Sequence, residues 1–91
     1  MQIQVYATLR DILGTSKITL DLTEQITARQ LLQRLAADYP AFGDKLWDAD
    51  DNLTGYVTIL LNGRALEYLD GLDTPVTNAD KLSLFPPVGG G

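Results

Sequence analysis

Between Ile26 and Pro40 the chain carries one segment whose apolar residues recur at helical spacing, and that segment restricts the folds open to it. Thr27 followed by Gln30 has the pattern of a capping box, in which each side chain satisfies a backbone N–H at the helix start. Ile26 and Leu31 stand at the positions of a hydrophobic staple. Leu31, Leu32, Leu35, Ala36 and Tyr39 then fall on one side, with Arg29, Gln33, Arg34 and Asp38 on the other. Pro40 is expected to end the helix, because a residue before proline avoids the helical region. A helix of about three turns with one leucine-rich face needs a sheet to cover it.

The flanking segments supply that sheet. From Gln2 to Thr8 the pattern alternates, with Ile3, Val5 and Ala7 on one face and Gln2, Gln4, Tyr6 and Thr8 on the other. After a break near Gly14, Ile18, Leu20 and Leu22 alternate with Lys17, Thr19 and Asp21, so the two strands read as a hairpin. Residues 41–55 read as a loop in which Phe42, Leu46 and Trp47 form at most a short turn on the core. Tyr56 to Leu61 is a third strand, Asn62-Gly63 a two-residue hairpin turn, and Lys81 to Phe85 a last strand with Leu82 and Leu84 inward. Asp70-Gly71 and Asp73-Thr74-Pro75 read as turns. The expected fold is α+β, with one main helix packed across a mixed sheet in a single domain.

Composition then narrows the chemistry. The 91 residues include no cysteine and no histidine. Disulfides, thiolate nucleophiles, side-chain persulfides, Cys/His zinc sites and imidazole acid–base catalysis are thereby excluded. Ser16, Ser83 and the threonines have no base partner in the pattern, so the chain does not read as an enzyme in its own right. Twelve acids against seven bases give a net charge of −5, which disfavours nucleic acid and favours encounter with a basic protein surface. Asp44, Asp48, Asp50 and Asp51 lack the alternate-ligand spacing and distal glutamate of an EF-hand, so no metal site is expected. No apolar run approaches the ~20 residues of a membrane span, and the first residues lack the basic and apolar stretches of a signal peptide. A cytoplasmic protein that binds neither membrane nor nucleic acid is the expectation.

The end of the sequence offers what the side chains do not. After Phe85 come Pro86, Pro87, Val88, Gly89, Gly90 and Gly91. Two prolines stop a strand, since neither has an N–H for a ladder, and hold the chain extended. Residues 86–91 can reach about 20 Å when extended. Glycines without side chains fit a narrow channel in another protein, and the alternative reading is a glycine-rich terminus that simply frays. The division is therefore a domain over residues 1–85 and an extended tail over residues 86–91.

Val5-Tyr6-Ala7-Thr8-Leu9-Arg10-Asp11-Ile12-Leu13-Gly14, the capped helix, Leu61-Asn62-Gly63 and Leu84-Phe85-Pro86-Pro87-Val88-Gly89-Gly90-Gly91 together resemble the MoaD/ThiS ubiquitin-like sulfur-carrier family. The resemblance implies a β-grasp fold, with the first and last strands parallel at the sheet centre. It implies that an E1-like adenylating enzyme, using ATP, activates the carboxylate of Gly91, which becomes a thiocarboxylate; the carrier itself binds no cofactor. Pro86 to Gly90 would thread into the partner's site. Among pathways, the Phe85-Pro86-Pro87-Val88 run resembles the small subunit of molybdopterin synthase, which works with the synthase large subunit in molybdenum cofactor biosynthesis. The segment Tyr68 to Pro75 resembles instead small archaeal-type modifiers conjugated to lysines and the carriers of cysteine synthesis. Sulfur carriage for thiamine or tRNA thiolation, and a non-covalent adaptor whose tail is a tether, complete the alternatives. Two features depart from the pattern usual in the molybdopterin branch: Gly89 stands where a small non-glycine residue is frequent, and Asn78-Ala79-Asp80-Lys81 replaces the acidic, glycine-containing turn.

Strand parity adds a candidate surface. If Ile3, Val5, Leu82, Leu84, Ile59 and Leu61 face the helix, then Tyr6, Leu60 and Phe85 face away from it. An apolar patch beside the tail would be a docking surface for the adenylating enzyme and a sulfur-acceptor enzyme. The alternative is that residues 41–55 cover it, with Trp47 as the lid.

Overall fold

The structure, a computed structural model, describes residues 1–87. Its elements in chain order are β1 (Gln2–Val5), α1 (Leu9–Leu13), β2 (Lys17–Thr19), β3 (Ile26–Thr27), α2 (Ala28–Asp38), α3 (Pro40–Leu46), β4 (Thr58–Leu61), β5 (Arg64–Ala65), 3-10 turns at Leu66–Tyr68 and Gly71–Asp73, β6 (Pro75–Val76) and β7 (Lys81–Phe85). Five strands form a mixed sheet in the order β2-β1-β7-β4-β5, and β3 pairs with β6 in a second, two-stranded sheet. This is the ubiquitin-like β-grasp arrangement, α+β as the pattern of periodicities requires.

The capping box forms as expected. The Thr27 hydroxyl accepts from the Gln30 N–H at 3.2 Å, and the Gln30 side chain accepts from the Thr27 N–H at 2.9 Å. Leu31, Leu32 and Leu35 are fully buried, in one cluster with Ile3 and Val5 of β1, Ile59 and Leu61 of β4, and Leu82 and Leu84 of β7. β1 and β7 run parallel in the register Ile3↔Leu82 and Val5↔Leu84, while β4 is antiparallel to β7 with Ile59↔Leu84. Asn62 and Gly63 both take positive φ, 51° and 84°, as a two-residue hairpin of the type that matches strand twist requires.

The turn before β7 is fastened on both sides. Asn78 Oδ1 accepts from the Met1 ammonium at 2.7 Å and from the Leu22 N–H at 2.9 Å. Asp80 accepts from Asn62 Nδ2 at 2.9 Å and from the Thr77 N–H at 2.8 Å, and these bonds hold its carboxyl below the usual carboxylate range. The departure of Asn78-Ala79-Asp80-Lys81 from a glycine-containing turn thus carries two side chains that tie β7 to its neighbours.

Several expectations need correction. The first strand stops at Val5 rather than running to Thr8, and Ala7, expected inside, is exposed with φ 52°. The chain turns there because the Leu9 N–H reaches the Tyr6 carbonyl and opens α1, which buries Leu9 and Leu13. The hairpin connection therefore contains a helix. β2 keeps only Lys17–Thr19, and Tyr56 and Val57 precede β4 instead of belonging to it. Residues 41–55 are not simply a loop, since Pro40 begins α3, which buries Phe42 and Leu46. Proline suits the first position of a helix because the N–H it lacks would have no partner there. Pro75, expected in a turn, lies in β6 and pairs with Thr27.

Candidate functional site

Register places the outward side chains of the sheet in rows, because residues directly opposite in neighbouring strands share a face. Phe85 of β7 stands opposite Thr58 of β4, and the Tyr6 N–H donates to the Leu84 carbonyl at 3.0 Å, which sets Tyr6 beside Phe85. The two rings stack with centroids 4.3 Å apart and planes within 7°. The next row reads Lys17, Gln4, Ser83, Leu60 and Ala65 across β2, β1, β7, β4 and β5. Leu60 thus lies diagonal to Phe85, within reach of a large side chain. Tyr6, Leu60 and Phe85 are half-buried, partly open to solvent on the face opposite α2. The structure brings together the three side chains that parity selects.

Trp47 does not cover them. It pairs with Leu53 in a bridge, and the Arg29 guanidinium lies 5.8 Å from its ring centroid, so it packs beside α2 on the other layer. Asp48 uses its carboxylate within its own loop, accepting from the Asp50 and Asn52 N–H groups at 2.8 and 3.0 Å. Among the described residues no group of three or more carboxylates has metal-holding geometry.

β7 ends at Phe85, so the chain leaves the sheet from the strand whose last ring belongs to the stack. Pro86 is half-buried and Pro87 exposed, neither in regular structure. Val88, Gly89, Gly90 and Gly91, the remaining tail residues and the expected reactive terminus, lie outside the described residues.

Sequence reasoning passed over the cations beside this patch. A groove of about 260 Å³ at the edge of the same face is lined by Gln4, Val5, Tyr6, Arg10, Ser16 and Lys17. The Arg10 Nε donates to the Val5 carbonyl at 3.2 Å, and the Tyr6 hydroxyl donates to Gln4 Oε1 at 2.6 Å. The alternation of Lys17 with Ile18 already puts Lys17 on the outer face; its closeness to Tyr6 needed the β1–β2 register.

This architecture agrees with what known proteins show. The ThiS family profile matches residues 3–91, nearly the whole chain.

The chain belongs to the ThiS family of ubiquitin-like sulfur carriers.

Among its relatives, small archaeal modifier protein 3 of Haloferax volcanii is 32% identical over 91 residues, covering 100% of this chain and 98% of that protein. Small archaeal modifier protein 1 of the same organism is 29% identical over 91 residues and is covered completely. The crystal structure of the latter superposes with a TM-score of 0.84 at 28% identity, covering 100% of this chain and 98% of the other. These relatives are named as small modifier proteins, of nearly the same length as this chain.

Proposed function

We propose that this chain carries sulfur as a thiocarboxylate on Gly91 and presents it through the Tyr6–Leu60–Phe85 face. One observation carries the reading: the strand that leads into the tail also supplies a ring of the half-buried stack on the open face. A partner that grips the stack has the tail root at its surface, and Pro86, Pro87, Val88, Gly89 and Gly90 would enter its site.

The chemistry falls to the partners. A C-terminal carboxylate, with a reference pKa of about 3.5, is ionised and a poor electrophile at neutral pH. An E1-like adenylating enzyme joins it to AMP from ATP with release of pyrophosphate. A sulfur donor then displaces AMP and leaves the thiocarboxylate. The carrier binds no cofactor in this scheme. The acceptor complex we favour from the Phe85-Pro86-Pro87-Val88 run is molybdopterin synthase, with this chain as the small subunit beside the large one. Protein modification is the second reading, supported by two relatives of nearly equal length that are named small archaeal modifier proteins.

Intact mass spectrometry of the chain from its native cytoplasm tests the common step. One oxygen exchanged for sulfur at the terminus is the expected result, and an isopeptide from Gly91 to lysines of other proteins would select the second reading. Removing Gly90 and Gly91 should abolish transfer while leaving fold and docking intact. If that truncated chain retains its function, the chain is a non-covalent adaptor and the carrier reading fails.

A further inference from the structure

The net charge of −5 points to basic partners, yet the face beside the tail root is built differently. Of the side chains that the five strands turn away from α2, none is a carboxylate, and two, Lys17 and Lys81, are exposed cations. Arg10 adds a third cation in the groove next to Tyr6. No carboxylate lies on any strand. Asp38 and Asp44 are on α2 and α3, Asp48, Asp50 and Asp51 follow α3, and Asp70 and Asp73 lie at the second 3-10 turn, against α2; the other five, Asp11 and Asp80 among them, are on α1 and the connections. Seven of the twelve acids thus gather over the helical layer, while the outward side chains of the sheet strands are cationic or neutral.

We infer that the partner surface gripping the Tyr6–Phe85 stack is apolar at its centre and acidic at its rim. One set of carboxylates meets Lys17 and Arg10 on the β2 flank, and another meets Lys81 at the start of β7. This rests on the docking reading above and names the chemistry of the partner. Charges at the rim of an interface act on partner choice and association rate, and opposite signs there suppress wrong partners. The acids gathered over the helical layer repel the same acidic surface, so charge favours approach through the sheet.

The test measures affinity of the purified E1-like adenylating enzyme of the native host for the full chain, at low and high salt. Lys17→Glu and Lys81→Glu are each expected to weaken binding about tenfold at low salt, with the difference shrinking at high salt. Arg34→Glu, on the exposed side of α2, changes net charge equally and should alter affinity less than about threefold. Equal weakening by all three would assign the effect to overall charge and overturn the inference, as would tighter binding of the lysine variants. Displacement of the enzyme by a short single-stranded RNA would also overturn it, giving the cations to nucleic acid. Phe85→Ala separates the two readings. Loss of binding there, with the lysine variants unaffected, keeps the docking face and rejects the acidic rim. Wild-type binding by Phe85→Ala rejects the docking face itself.

Discussion

Asp80 shows how one side chain can hold a strand in place. Its two oxygens take donors from Asn62, at the β4–β5 turn, and from Thr77, in the turn before β7. The bond from the Asn62 amide, then those from Thr77, favour the charged form and keep the carboxyl below its ordinary value. A depressed folded-state pKa gives stability that is present above the unfolded value, about 3.9, and is lost as pH falls through the folded one. Asp80→Asn should therefore be less stable than wild type at pH 7, and the gap should close below about pH 4 in urea titrations at a series of pH values. A gap that persisted at low pH would mean that shape, not charge, matters there. Gly43 makes a second residue-scale case. A Cβ at this position would come within 2.9 Å of the Ala36 Cβ, because α3 crosses α2 at close range. Gly43→Ala should cost about 1–3 kcal/mol by overpacking, read from chemical denaturation.

At the scale of elements, legibility followed length and capping. α2 was readable because eleven residues repeat one face and a box fixes the start. Its cap yields a direct check, since Thr27→Ala should lose about 1 kcal/mol with an unchanged urea slope. A much larger loss would show that the cap also secures the β3–β6 pair, in which Thr27 stands opposite Pro75. The last strand and the Asn62-Gly63 turn were legible for similar reasons, one a clean alternation and the other a dipeptide suited to positive φ. α1 was not, because its five residues follow directly on an alternating run and only Leu9 and Leu13 mark the helical spacing. α3 was hidden by Pro40, which stops one helix and starts the next. The two-residue strands β3 and β6 are too short for any periodicity. At the candidate site, parity alone selected Tyr6, Leu60 and Phe85. Arg10 and Lys17 escaped notice because their nearness to Tyr6 depends on which strands pair and in what register.

For the molecule as a whole, the parallel pairing of β1 with β7 joins opposite ends of the sequence at the middle of the sheet. β1 also pairs with nearby β2, and β7 with β4, so the β1–β7 ladder is the contact that joins the two ends. The sheet is thus closed at its centre by residues 81–85, immediately before the tail. Leu84 is fully buried between Val5 and Ile59, so it belongs to that closure. Leu84→Ala should cost 2–5 kcal/mol, about the usual range for a leucine removed from a packed core. Pro87, exposed, takes no part in the sheet register, and residues 88–91 follow it in sequence. Their removal should leave the urea midpoint where it is while abolishing transfer. Measuring both variants by circular dichroism decides between a body that folds independently of its tail and one that does not. A midpoint lowered as far by the truncation as by Leu84→Ala would make the tail part of the folded body. It could not then be free to enter a partner's site without unfolding cost, and the carrier reading would need a partner that repays that cost on binding.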